Sequence, residues 1–153
     1  MHVSIPQLES AQGQSAEEEA GMWEIFQRNR ALGRMVEISA EHLSVLMEPL
    51  CSKLIILDLR GEDEVLLYPY IIPGALLTTK VDVSALIGWL PPQSWVVLYA
   101  TDKIRRGYSR LHRLRNDLSF CVLSDGLRAW WNAGFAMETV DRVLYAGGLR
   151  ARA

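Results

Sequence analysis

Two apolar runs, Leu54-Ile-Ile-Leu57 and Trp95-Val-Val-Leu-Tyr99, restrict the architecture more than anything else in the chain. Leu54-Ile-Ile-Leu57 is apolar without a break, which is how a strand covered on both faces of a parallel sheet reads. Trp95-Val-Val-Leu-Tyr99 reads as a buried, central strand. Helical spacing fills the intervals. Ser39 can cap a helix that carries Leu43, Leu46, Met47 and Leu50 on one face, and residues 83–90 form a short helix closed by Pro91-Pro92. Residues 35–38, the segment after Ile72-Pro-Gly-Ala75 and residues 120–123 supply further strands. Residues 105–116 and 127–133 supply helices, the second stopped by Gly134. Strands alternating with helices predict an α/β fold with a mostly parallel sheet.

The central strand ends in the loop Ala100, Thr101, Asp102, Lys103, Ile104, Arg105 and Arg106, and the expected helix follows it. Strand, tight loop and helix start together make an anion pocket, because the first amides of a helix lack internal partners. Sites of this kind carry a nucleophile at the first loop position. Here that position is Ala100, which has no lone pair to attack with.

The 153 residues suit one domain and carry a net charge of -2, so bulk charge does not draw the chain to nucleic acid. Three parts are expected: a tail and helix over 1–34, a compact domain over 35–140, and a tail over 141–153. In the first, Ser15, Glu17, Glu18 and Glu19 open a helix over 15–32. Its apolar stripe of Met22, Ile25, Phe26 and Leu32 would dock on the domain or pair with a second copy. No apolar run is long enough for a membrane helix and no signal peptide is visible, which makes the cytoplasm the expected location. Cys51 and Cys121 match no metal motif, and both read as inert thiols; neither metal nor cofactor is expected.

Several short motifs fall in order: Asp58-Leu-Arg60, Ile72-Pro-Gly-Ala75, the loop after Tyr99, and Ser124-Asp-Gly126 before Trp130 and Ala133-Gly134. Over residues 36–138 this pattern resembles the rhodanese-like family. The resemblance implies a three-layer fold around a five-stranded, mostly parallel sheet. It also implies sulfur transfer through a cysteine persulfide, with the cysteine position falling on Ala100 and the loop-closing arginine on Arg105. Lys103 replaces a loop glycine, and Asp125 replaces the first of a glycine pair and can cap the following helix. Several such departures together fit a naturally inactive member better than an engineered change at Ala100 alone. Related phosphatases carry a loop one residue longer, which would place their arginine at Arg106.

The expectation is therefore a binding or regulatory module, with a possible oxyanion in the 100–106 loop, or a protein partner or homodimer through the N-terminal helix. An active sulfurtransferase would need Cys51 or Cys121 as a displaced thiol. Asp58 and Arg60 sit at the sheet end where ligands bind, but the resemblance gives them a bracing role. Lys103, Arg105, Arg106, Arg110, Arg113 and Arg115 would form a basic helix face, read as solvated, with Leu111, Leu114 and Leu118 facing the core. Trp130 is expected to pack inside, and Trp131 to lie partly exposed.

Overall fold

All five residues of Trp95–Tyr99 are buried, and the rest of the fold is arranged to cover them. The computed structural model describes residues 35–140 apart from 49, 51, 80, 105–107 and 109, together with Gly21, Glu24 and Arg28. Those three are helical and exposed; the remaining residues of the expected 15–32 helix, its apolar stripe and the 141–153 tail lie outside the described residues.

The elements in order are β1 (Val36–Ile38), α1 (Ala40–Leu46), β2 (Leu54–Asp58), α2 (Glu62–Leu67), β3 (Tyr70–Ile71), β4 (Leu76–Leu77), α3 (Val83–Trp89), β5 (Trp95–Tyr99), a 3-10 turn (Leu111–Arg113), β6 (Ser119–Leu123), α4 (Gly126–Asn132) and β7 (Glu138–Thr139). Five strands form one sheet in the order β1-β6-β5-β2-β4, with every pairing parallel. The side-chain period of two splits the central strand between two cores. Trp95, Val97 and Tyr99 point to the face covered by α1, α2 and α4, where Leu43, Val65 and Trp130 pack. Val96 and Leu98 point to the face covered by α3 and the 3-10 turn, where Ile87 and Leu111 pack. The result is a three-layer α/β structure. A separate two-stranded antiparallel pair joins β3 to β7.

Local chemistry sets the helix starts. The Ser39 hydroxyl accepts from the His42 amide at 3.0 Å, and Asp82 Oδ1 accepts from the amides of Ser84 and Ala85. At the end of α4, Gly134 adopts φ +81°, the left-handed turn that stops the helix.

Four sequence expectations need correction. First, helix α2 was not anticipated; it lies between the Asp58-Leu-Arg60 and Ile72-Pro-Gly-Ala75 motifs. Second, the expected helix over 105–116 does not form in its described part. Tyr108 and Leu111–Arg113 are 3-10 instead, and Arg115 reaches back to the carbonyls of Ile87 and Leu90 at the end of α3, at 3.1 and 2.6 Å. Arg115 thus adds a donor to two carbonyls at the C-terminal end of α3 and also pairs with Asp117, so the chain turns away where a helix would continue. Third, Leu114 is 50% exposed, while Leu111 and Leu118 are buried as expected. Fourth, Asp125 stands at the N-cap of α4 but its side chain makes no capping bond, because its backbone is left-handed at φ +56°. Among the described residues, no helix is long and apolar enough to cross a membrane.

Candidate functional site

The C-terminal ends of β2 and β5 lie side by side, with Asp58 opposite Tyr99 in the register. They carry a closed polar network. The Tyr99 hydroxyl donates to Asp58 Oδ2 at 2.7 Å. Arg60 Nε donates to both carboxylate oxygens at 3.1 and 3.0 Å, and Nη2 to Oδ2 at 2.9 Å. The other guanidinium bonds run to backbone: Nη1 to the Tyr68 carbonyl at 2.9 Å and Nη2 to the Tyr70 carbonyl at 2.7 Å. The Ile72 amide donates to the Tyr99 hydroxyl at 3.3 Å. Asp58 is 0% and Arg60 2% exposed, so this pair fastens the α2–β3 segment to the sheet, with its charged groups turned inward.

Burial, and then the adjacent Asp58 charge, push the Tyr99 phenol well above its ordinary value of 10.0. The sign of the pH effect follows. The unfolded chain releases this proton near pH 10, and the fold retains it. The contribution of Tyr99 is therefore complete below about pH 10 and is lost at up to about 1.4 kcal/mol per pH unit above it. Urea denaturation between pH 9 and 11.5 should show this decline, and Tyr99→Phe should flatten it by one proton; an unchanged slope would contradict the assignment.

Beyond Tyr99 the chain enters the loop. The Ala100 and Thr101 carbonyls accept from the Leu127 and Arg128 amides of α4 at 2.9 and 3.1 Å. Two first-turn amides of α4 are thus satisfied by the loop itself. In a trans peptide the C=O and N–H point in opposite directions, so the amides of Thr101 and Asp102 point away from α4. Asp102 pairs with Arg128 Nε at 2.9 Å, both side chains more than half exposed; such a pair adds little stability.

A cavity of about 350 Å³ opens on this loop, lined by Leu59, Glu64, Ala100, Thr101, Asp102, Lys103 and Tyr108. Glu64, from the unanticipated α2, is the residue that sequence reasoning missed: the Thr101 hydroxyl donates to its Oε2 at 2.9 Å. The acidic run Glu62-Asp63-Glu64, just beyond Arg60-Gly61, was the available signal. Ile104 packs on the α3 side of the sheet. Arg105 and Arg106 lie outside the described residues, as does Cys51. Cys121 is 1% exposed in the middle of β6, and burial pushes its thiol up, away from the reactive thiolate.

On the other side of the loop, a cavity of about 960 Å³ gathers Lys103, Arg110 and Arg113 together with Glu37, Asp102 and Asp125. The basic residues there share their surroundings with acids, and among the described residues no α-helix aligns them. Among the described residues, no group of three His, Cys, Asp or Glu side chains could hold a metal ion.

No protein-family model matches the chain and no curated protein matches it. Solved structures do. A thiosulfate sulfurtransferase from Pseudomonas aeruginosa aligns with a TM-score of 0.58 at 18% identity, over 79% of this chain but only 23% of that one. This chain therefore spans about a quarter of that sulfurtransferase. A Bacillus halodurans protein aligns with a TM-score of 0.56 at 15% identity, over 81% of this chain and 87% of its own. A Rhodopseudomonas palustris protein described as of unknown function and a possible tyrosine phosphatase aligns with a TM-score of 0.51 at 20% identity, over 76% and 93%. At these identities the likeness is one of fold, and with the parallel β1-β6-β5-β2-β4 sheet between its two helical layers, the chain has the rhodanese-like α/β fold.

Proposed function

We propose that this chain is a rhodanese-like binding module without sulfurtransferase activity, engaging its ligand or partner at the loop cavity. One observation carries the reading: Ala100, the position to which the resemblance assigns the nucleophile, lines the cavity at the end of β5, and none of the described residues lining that cavity is a thiol. Persulfide chemistry needs a sulfur that can attack and then hold the transferred atom. A methyl group does neither. Cys121, within β6, lines none of the three cavities beside the loop, and its buried thiol resists ionisation.

Two further features oppose the chemistry even if a thiol were supplied. The Glu64 carboxylate shares the cavity, and negative charge there disfavours both a thiolate and an incoming thiosulfate dianion. Among the described residues that follow the loop, Tyr108 and Leu111–Arg113 are 3-10 and none is α-helical, so those residues lend no α-helix dipole to the site. A ligand held here would draw on Lys103 and the Thr101 and Asp102 amides, and on Arg105 or Arg106. Arg106 is also where a phosphatase-type loop would place its arginine.

The test is a thiosulfate:cyanide assay on the natural protein and on Ala100→Cys, with calorimetry of thiosulfate, sulfate and phosphate beside Arg105→Ala and Arg106→Ala. Turnover at background in the natural protein, and no high turnover in Ala100→Cys, is the expected result. Robust sulfur transfer by the natural protein would end this reading. Anion binding lost in one arginine variant would identify the ligand class; no binding at millimolar anion would direct the search to protein partners.

A further inference from the structure

Beside the loop cavity lies an apolar surface that the fold leaves open. Helix α2 buries only Val65, and Leu66 and Leu67 are 73% and 86% exposed. Next in the chain is Tyr68, whose ring centroid lies 5.1 Å from Tyr70 and 5.4 Å from Trp131, the latter edge-on at 79°. Trp131 is 54% exposed. A mainly apolar cavity of about 240 Å³ opens here, lined by Arg60, Tyr68, Thr101, Leu127, Arg128 and Trp131. Arg60 is engaged by Asp58 and Arg128 by Asp102, so the two cations that line it are already paired. The Tyr68 hydroxyl is screened from solvent and has no hydrogen-bond partner, an arrangement that disfavours leaving the site as it stands.

The course of the chain says what covers this surface. Strand β7 runs antiparallel to β3, with Thr139 opposite Tyr70, and the Val140 amide donates to the Pro69 carbonyl at 3.0 Å. Continued in the register of β7, a chain leaving Val140 would pass Tyr68 in the direction of Leu67 and Leu66. The residues that follow are Asp141-Arg-Val-Leu-Tyr145. Three to five extended residues span roughly 10–17 Å, enough to lay an apolar triplet across a patch that begins one residue from Pro69.

We propose that Val143, Leu144 and Tyr145 dock on the surface formed by Leu66, Leu67, Tyr68 and Trp131, within the same molecule. The docked segment removes apolar area from water and brings a partner within reach of the Tyr68 hydroxyl. This inference does not depend on what the loop cavity binds.

Hydroxyl-radical footprinting, read residue by residue by mass spectrometry, tests it on the full chain. Leu144→Asp, and separately a chain ending at Val140, should raise labelling of Trp131, Leu66 and Leu67 several-fold, while Trp89 on α3, across the sheet, stays constant. Because Leu144→Asp changes only the segment outside the described fold, its result does not hinge on the shorter chain folding. Equal labelling in all three proteins would overturn the proposal. Protection of Trp131 that disappears on dilution of the natural protein would assign the surface to a second copy and overturn the intramolecular contact. Protection lost on deleting residues 1–33 but kept in Leu144→Asp would assign it to the N-terminal segment, with the same consequence.

Discussion

Arg60→Ala is expected to destabilise the fold by about 3–5 kcal/mol, the range for removing one partner of a buried ion pair. The reason is what remains behind. Asp58 is 0% exposed, and without the guanidinium its carboxylate keeps only the Tyr99 hydroxyl and the residue-60 amide as donors. The Tyr68 and Tyr70 carbonyls each lose the guanidinium as a donor as well, which loosens the segment that carries α2 and the strand paired with β7. Against a total stability of typically 5–15 kcal/mol, the loss brings the protein close to unfolding at ordinary temperature. Arg60→Lys should recover little, because one ammonium cannot reproduce a fork that serves a carboxylate and two carbonyls. Asp58→Leu/Arg60→Met should be less damaging than Arg60→Ala, since it removes both charges together. Urea denaturation read as a midpoint shift at constant slope measures all three. A loss below about 1 kcal/mol for Arg60→Ala would mean that the network is not sealed from water.

That network was legible in the sequence as a spacing, Asp58-Leu-Arg60 at the end of an apolar run, and the structure places it as a brace. The sheet was legible for a similar reason. Runs such as 54–57 and 95–99 carry no polar residue that could tolerate solvent, so only a position buried on both faces suits them. The helix over 105–116 was misread because its leucine spacing is a local signal, whereas the conformation there answers to distant carbonyls on α3 that Arg115 satisfies. Helix α2 escaped notice because it buries one side chain, Val65, and so has almost no periodicity to read. The loop itself was legible as a place, but Glu64 was not. Its contact with Thr101 spans 37 positions, and nothing local announces a contact made by folding. Asp125 was read as a cap from its residue type; its backbone is left-handed and its side chain makes no capping bond.

The close approach of α4 to the loop makes Gly126→Ala the sharpest test of how the loop is held. A Cβ at Gly126 would stand 2.3 Å from the Ala100 carbonyl oxygen, 2.6 Å from that of Asp102 and 2.9 Å from that of Thr101. All three are backbone atoms, so none can rotate away as a side chain would. The residue is also left-handed at φ +58°, which costs an L-residue with a Cβ about 1–2 kcal/mol by itself. Strain and clash together are expected to cost about 3–4 kcal/mol. Relief requires the loop to withdraw from α4, which breaks the bonds from the Leu127 and Arg128 amides to Ala100 and Thr101. Hydrogen exchange at those two amides should then accelerate far more than at β5. Gly74→Ala separates the two causes. Gly74 is left-handed at φ +83° but has nothing within 4 Å of the position its Cβ would take, so that change carries the strain without the clash. If Gly126→Ala proves no more destabilising than Gly74→Ala, the loop carbonyls do not crowd α4 as described. If it is costlier and the Leu127 and Arg128 amides open, the cavity's shape is set by this close contact of backbone with backbone, which only glycine at 126 permits.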